Sequence, residues 1–172
     1  MRAQLAWRVT VLVALFVLLH SVLERPALDA PLFALNAATA DAALAWLALA
    51  GVMLVRDGTL LLHAHGFATE VHQVCTALLP AVLLVVGIAL HPRGRAVHKL
   101  LGMVLGAAVV VLINQCRLVG VVWVGVQAPT LFGVVHGWLA PAALLLLTTA
   151  YGWAWARAVG SVVSPSRSSV LD

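Results

Sequence analysis

The sequence predicts an all-α integral membrane protein with about four transmembrane helices, an interfacial or re-entrant helix and a short external hairpin. Composition is the first reason. Hydrophobic residues make up 63% of the 172 residues and charged residues 9%, against roughly 45–50% and 25% in soluble domains. The second reason is the run lengths: four apolar stretches reach the ~20 residues that a bilayer requires. The third is where the charges fall. The loop from His91 to Lys99 holds Arg93, Arg95 and Lys99 and no acid, whereas every acid except Asp172 lies between Glu24 and Glu70. A basic loop faces the cytoplasm, so the acidic segment faces outward. Cytosolic enzymes, secreted disulfide scaffolds and conventional nucleic-acid binders are excluded. The net charge of +4 sets orientation rather than a polyanion partner. Cys75 and Cys116 are too few for a disulfide framework, and neither lies in a CxxC pair.

The first run, Leu5 to Leu23, follows Arg2 and Arg8 and reads as a retained anchor. Ala27-Leu28-Asp29-Ala30 looks like a signal cleavage site, but Pro31 would follow the cut and the apolar run is long for a signal core. Pro31 to Val55 is apolar but carries Asn36, Thr39 and Asp41. Charge parity puts both its flanks outside, so it reads as an interfacial or re-entrant helix. Thr59 to Val71 has partial alternation and reads as a hairpin turning near Gly66. The remaining spans are Val74 to Leu90, Leu100 to Val124 and Gly133 to Ala156. Residues 1–156 form one polytopic domain of the cytoplasmic membrane. Residues 157–172, Ser-rich with Pro165, form a disordered cytoplasmic tail.

Polar residues inside spans are costly and point to function. Arg117 lies ~25 Å along its helix from Leu100 at 1.5 Å per residue, in the outer part of the bilayer, with Asn114 on the same face. Cys75 opens its span at the outer end, and Pro80 disfavours regular helix around it. His136 opens the last span, also at the outer end. Each residue has a plainer reading: a snorkelling Arg, a small buried thiol, an interfacial His beside Trp138. Together they place a thiol, a guanidinium and an imidazole at one depth. A Cys–His pair is the nucleophile-and-base arrangement of thiol acyl transfer, and a nearby Arg can stabilise a thiolate or an oxyanion.

On these residues the chain resembles the exosortase/archaeosortase family of membrane-embedded cysteine transpeptidases. The resemblance covers about Pro31 to Tyr151 and rests on Cys75-Thr76-Ala77, Asn114-Gln115-Cys116-Arg117 and His136, in that order. The family's Cys-Ser-Gly reads Cys-Thr-Ala here. The resemblance implies a protease and transpeptidase that cuts C-terminal sorting signals at the outer membrane face and passes the acyl group to an acceptor. Its substrates would carry a short motif, a transmembrane helix and a basic tail. Cys75 would be the nucleophile, His136 the general acid/base and Arg117 the stabiliser, with the last two roles interchangeable. Asn114 would support them from behind. No cofactor is implied.

Two other classes compete. His63 and His65 share a strand face with His72 nearby, a set that zinc or copper could use, though exposed interfacial His is the plainer reading. His91 and His98 flank a solvated loop, and His20 is a single imidazole. A non-catalytic assembly factor would use Gly102-x-x-x-Gly106 and Gly133-x-x-x-Gly137 for close helix approach, where packing within the bundle is the plainer reading. Cys116 points about 100° away from Arg117 on a helix and reads as structural. There is no His-Glu-x-x-His, no intramembrane Asp pair and no Gly-x-Ser-x-Gly.

Overall fold

The computed structural model describes residues 2–162. The chain is mostly helical, with a three-stranded antiparallel sheet between the second and third helices. Helix α1 (Arg2–Leu23) leads through a 3-10 turn at Pro26–Leu28 into α2 (Asp29–Leu49). Strands β1 (Leu54–Asp57), β2 (Leu60–His63) and β3 (Ala68–Glu70) follow in spatial order. Then come α3 (Leu78–Ala89), α4 (Ala96–Gln127), α5 (Pro129–Val134), a π turn (Val135–Leu139) and α6 (Ala140–Val162). Among the described residues, three helical stretches are long and apolar enough to cross a membrane: Pro26–Leu49, Ala96–Gln127 and Pro129–Gly160.

The last two of these contain the expected spans at Leu100 to Val124 and Gly133 to Ala156. The expected span at Val74 to Leu90 is shorter, because regular helix begins only at Leu78. The helix of 12 residues starts just before Pro80, a position where the missing N–H costs no hydrogen bond. Cys75 ends a 3-10 turn and Thr76 is extended at φ −85, ψ 159, so the backbone around the thiol is irregular as expected. α1 covers the first expected span, and its apolar part among the described residues is Val13–Leu23. α6 runs on to Val162, past the expected boundary at Ala156. The rest of the expected tail, from residue 163, lies outside the described residues.

The segment expected to be interfacial or re-entrant forms one continuous helix, α2, long and apolar enough to cross a membrane. Two of its polar residues find partners within the protein, while Asn36 Oδ1 is buried without one. The Thr39 hydroxyl donates to the Leu35 carbonyl at 2.8 Å, and Asp41 meets Arg56 of β1 at 2.6 Å. Leu35 and Thr39 lie beside Val111, Asn114 and Gln115, while Leu47 packs with Leu118 and Val122. So α2 runs parallel to α4, and its N-terminal end points away from the sheet. Glu24 and Asp29 are therefore not gathered with Asp57 and Glu70 on one side, as the charge reading had them.

α2 stops in a Schellman motif: Gly51 takes φ +78, Val52 N–H donates to Leu47 O at 2.9 Å and Gly51 N–H to Ala48 O at 3.0 Å. Only Gly adopts that φ freely, so the helix ends before Val55. The chain then forms β1, a strand the sequence reading did not separate from the helix. The β2–β3 hairpin turns through Gly66 as expected, at φ +88.

Two cores hold the fold. At the sheet end, Ala40, Ala43 and Leu47 of α2 meet Val52, Leu61, Val71, Cys75, Leu118 and Val122. Leu47 and Leu61 are wholly buried, each worth about 1.5–3 kcal/mol relative to exposure in water. At the other end Leu84 and Ile88 of α3 meet Val110 of α4, with Tyr151 and Trp155 of α6 packed against them. Gly102 makes that approach possible: a Cβ there would lie 2.1 Å from Trp155 Nε1. Its carbonyl also accepts from Tyr151 Oη at 3.0 Å. This Gly-x-x-x-Gly pair therefore serves packing within the bundle, whereas Gly133 and Gly137 face open space.

Candidate catalytic site

Asn114 is the hub. It is 1% exposed on the inward face of α4. Its Nδ2 donates to the Cys75 carbonyl at 2.7 Å, and its Oδ1 accepts from Arg117 Nη1 at 3.4 Å. The opposite amide orientation would face NH₂ toward the guanidinium and oxygen toward the carbonyl, so the contacts fix it. The bond to Cys75 exists because Thr76 is extended, which turns the preceding carbonyl out of helical pairing. The Thr76 hydroxyl then ties the turn down by donating to Gln73 O at 2.7 Å. Ala77, where the resembled family has Gly, sits at φ −81, ψ 5, a conformation any residue adopts. Glycine is not needed there.

Arg117 does not snorkel outward. Its Nη1 turns to Asn114, and its Nε is buried without a hydrogen-bond partner. An orphaned guanidinium N–H is costly. The side chain lines an apolar cleft of about 650 Å³ between α4 and α6, beside Val135, Leu139 and Ala140. An acceptor oxygen entering that cleft would satisfy it.

His136 sits in the π turn, whose Val135 and Leu139 line the same cleft as Arg117. π turns occur where a helix is locally reshaped, frequently at functional sites, and Pro141 lies just beyond this one. The His136 ring stacks on Phe132, with centroids 5.2 Å apart and planes at 10°. Phe132 in turn meets Phe67 edge-on at 5.3 Å. Phe67 rests on α4 at Gly125, where a Cβ would clash with it at 2.2 Å. The imidazole is thus held through an aromatic ladder that reaches the β2–β3 hairpin.

The Cys75 thiol itself is 3% exposed and packs among the sheet-end apolar cluster. Among the described residues no hydrogen bond joins it to His136 or Arg117. The fold therefore links Cys75, Asn114 and Arg117 in a continuous chain and sets the π turn that carries His136 against the Arg117 cleft, without joining thiol to imidazole. Cys116 is exposed and lines the same cleft as Arg117, with no hydrogen bond to this set among the described residues. Phe132 and Phe67 were not anticipated. The four-residue step from Phe132 to His136 was readable as a shared helix face, whereas Phe67 had no such signal.

The histidine cluster does not form a metal set. The His63 and His65 rings are 5.0 Å apart, but His72 pairs with Glu70 at 3.2 Å. No group of three His, Cys, Asp or Glu suited to a metal occurs among the described residues.

Asn114→Ala is expected to lower stability by about 1–3 kcal/mol, because the Cys75 carbonyl loses its buried donor. A thermal melt of the purified variant in detergent checks this. A melt equal to wild type would mean that water replaces the amide.

No family model matches the chain, and neither a curated protein nor a solved structure matches it.

Proposed function

We propose that this chain is a membrane-embedded cysteine transpeptidase that cleaves C-terminal sorting signals of exported proteins. In this reading α2, the short α3, α4 and the α5–α6 stretch cross the cytoplasmic membrane, and the sheet lies at its outer face. The His91–Lys99 loop is cytoplasmic. The observation that carries the reading is the Asn114 bridge from the Cys75 carbonyl to Arg117. A buried amide holds the proposed nucleophile's backbone and the proposed oxyanion stabiliser in one unit.

The chemistry is acyl transfer. With substrate bound, Cys75 gives its proton to His136, and Sγ attacks the substrate carbonyl carbon as thiolate to form a tetrahedral oxyanion. Arg117 stabilises that oxygen from an apolar cleft, where charge interactions are strong. His136 protonates the leaving amine as the C–N bond breaks, leaving a thioester on Cys75. An acceptor nucleophile then takes the acyl group and releases the thiol. The apolar burial of Sγ requires a substrate segment to part the sheet-end cluster, and catalytic hydrogen bonds often tighten only with substrate bound.

The same burial favours a second reading, in which Cys75 is a packing residue of a non-catalytic assembly factor. The experiment that tests the first reading removes the whole chain from its native host. The C-terminal peptides of exported proteins with a terminal helix and basic tail are then quantified by mass spectrometry. Persistence of the uncut C-termini is the expected result. Unchanged C-termini would overturn the transpeptidase reading.

A further inference from the structure

A second cleft runs along α3 from Pro80 to His91, toward the end of the bundle opposite Cys75. It measures about 590 Å³ and lies between α1, α3 and α6, with Phe16, Leu84, Gly87, Ile88 and Trp153 among its lining residues. Its size falls in the ~300–1,000 Å³ range of ligand pockets, and its walls are almost wholly apolar. One end is different. His91 of the basic loop and Trp155 and Ala156 near the end of α6 also line it.

Cations converge on that end. The Arg157 guanidinium lies 4.4 Å over the Trp153 ring. Arg93 Nη1 is 4.0 Å from where a Cβ on Gly160 would sit, one turn along α6 from Arg157. Lys99 is pinned to the Ala89 carbonyl at 2.9 Å, at the C-terminus of α3. The sequence holds no acid from Val71 to Leu171. Among the described residues, none of these cations has a salt-bridge partner.

We propose that this cleft is a binding site for an anionic phospholipid. One acyl chain lies in the apolar groove, and the phosphate lies between Arg93 and Arg157. The groove supplies the chain's environment and the unpaired guanidiniums supply the charge complement. Trp153 and Trp155 sit at the level where amphipathic rings meet headgroups. The site rests on the membrane placement of the helices and not on the chemistry at Cys75.

The test uses the full chain purified in detergent and titrated with phosphatidylglycerol or phosphatidylcholine in mixed micelles, with melting temperature as the readout. Phosphatidylglycerol is expected to raise the melting temperature at lower lipid concentration than phosphatidylcholine. Arg93→Gln and Arg157→Gln should each raise the half-saturating phosphatidylglycerol concentration about fivefold, following the contribution of one surface cation. Gly87→Leu fills the groove, and a Cβ at Gly87 meets no atom within 4 Å, so the variant should fold yet lose the response. Equal stabilisation by both lipids would overturn the proposal. So would a response undiminished in both Gly87→Leu and Arg157→Gln. Failure here would leave the transpeptidase reading intact, because neither variant touches the Asn114 bridge.

Discussion

Cys75→Ala is expected to leave exported proteins with a C-terminal helix and basic tail uncut, while the variant accumulates to wild-type levels. The backbone at Cys75 supplies the structural contacts. Its N–H donates to His72 O at 2.8 Å, and its carbonyl accepts from Asn114. Neither bond uses the side chain. Removing Sγ from the apolar cluster leaves a small cavity, at a cost of about 1 kcal/mol, which a cooperative fold tolerates. Lost processing with normal enzyme abundance, read by immunoblot, therefore reports chemistry. Normal processing would remove the thiol from the mechanism and favour the packing role.

Arg117→Ala is expected to slow processing by about 10²–10³-fold, the usual effect of deleting one donor to a developing oxyanion. The melting temperature should change little. Removing the buried, partnerless Arg117 Nε relieves an unsatisfied group, which offsets the lost donor to Asn114 Oδ1. Arg117→Lys should recover only part of the rate, since an ammonium lacks the planar fork that reaches Asn114 and the cleft together. Pulse-chase rates of precursor cutting check the first effect and a thermal melt the second. If rate and melting temperature fall together, Arg117 is structural and the oxyanion role fails.

The long helices were legible because unbroken apolar runs leave little choice of structure. The continuity of α2 was harder to see. Asn36, Thr39 and Asp41 interrupt the apolar run and charge parity put both its flanks on one side, whereas Thr39 bonds back to its own helix and Asp41 pairs with Arg56. Local sequence does not display a partner so far along the chain. β1 was hidden because Leu54 and Val55 continue the apolar run, although Gly51 and the Asp57-Gly58 turn marked the break. At the site, the three-residue step from Asn114 to Arg117 was readable from helix periodicity. The bond from Asn114 to the Cys75 carbonyl was not, because it depends on one extended residue, Thr76. The distance between thiol and imidazole is likewise a matter of side-chain packing, which spacing along the chain does not set.

The brevity of α3 has a consequence for the surrounding lipid. Twelve residues span about 18 Å, well short of the ~30 Å hydrocarbon layer, while the 32 residues of α4 span about 48 Å. In the membrane reading, the layer beside α3 cannot keep its full thickness around a regular helix. The deficit falls at the Cys75 end, where irregular backbone survives at that depth only because protein shields it. Mismatch of this kind is relieved by local thinning of the bilayer. Water and headgroups would dip toward the thiol there, bringing an aqueous nucleophile within reach of a bond that lipid tails would otherwise seal.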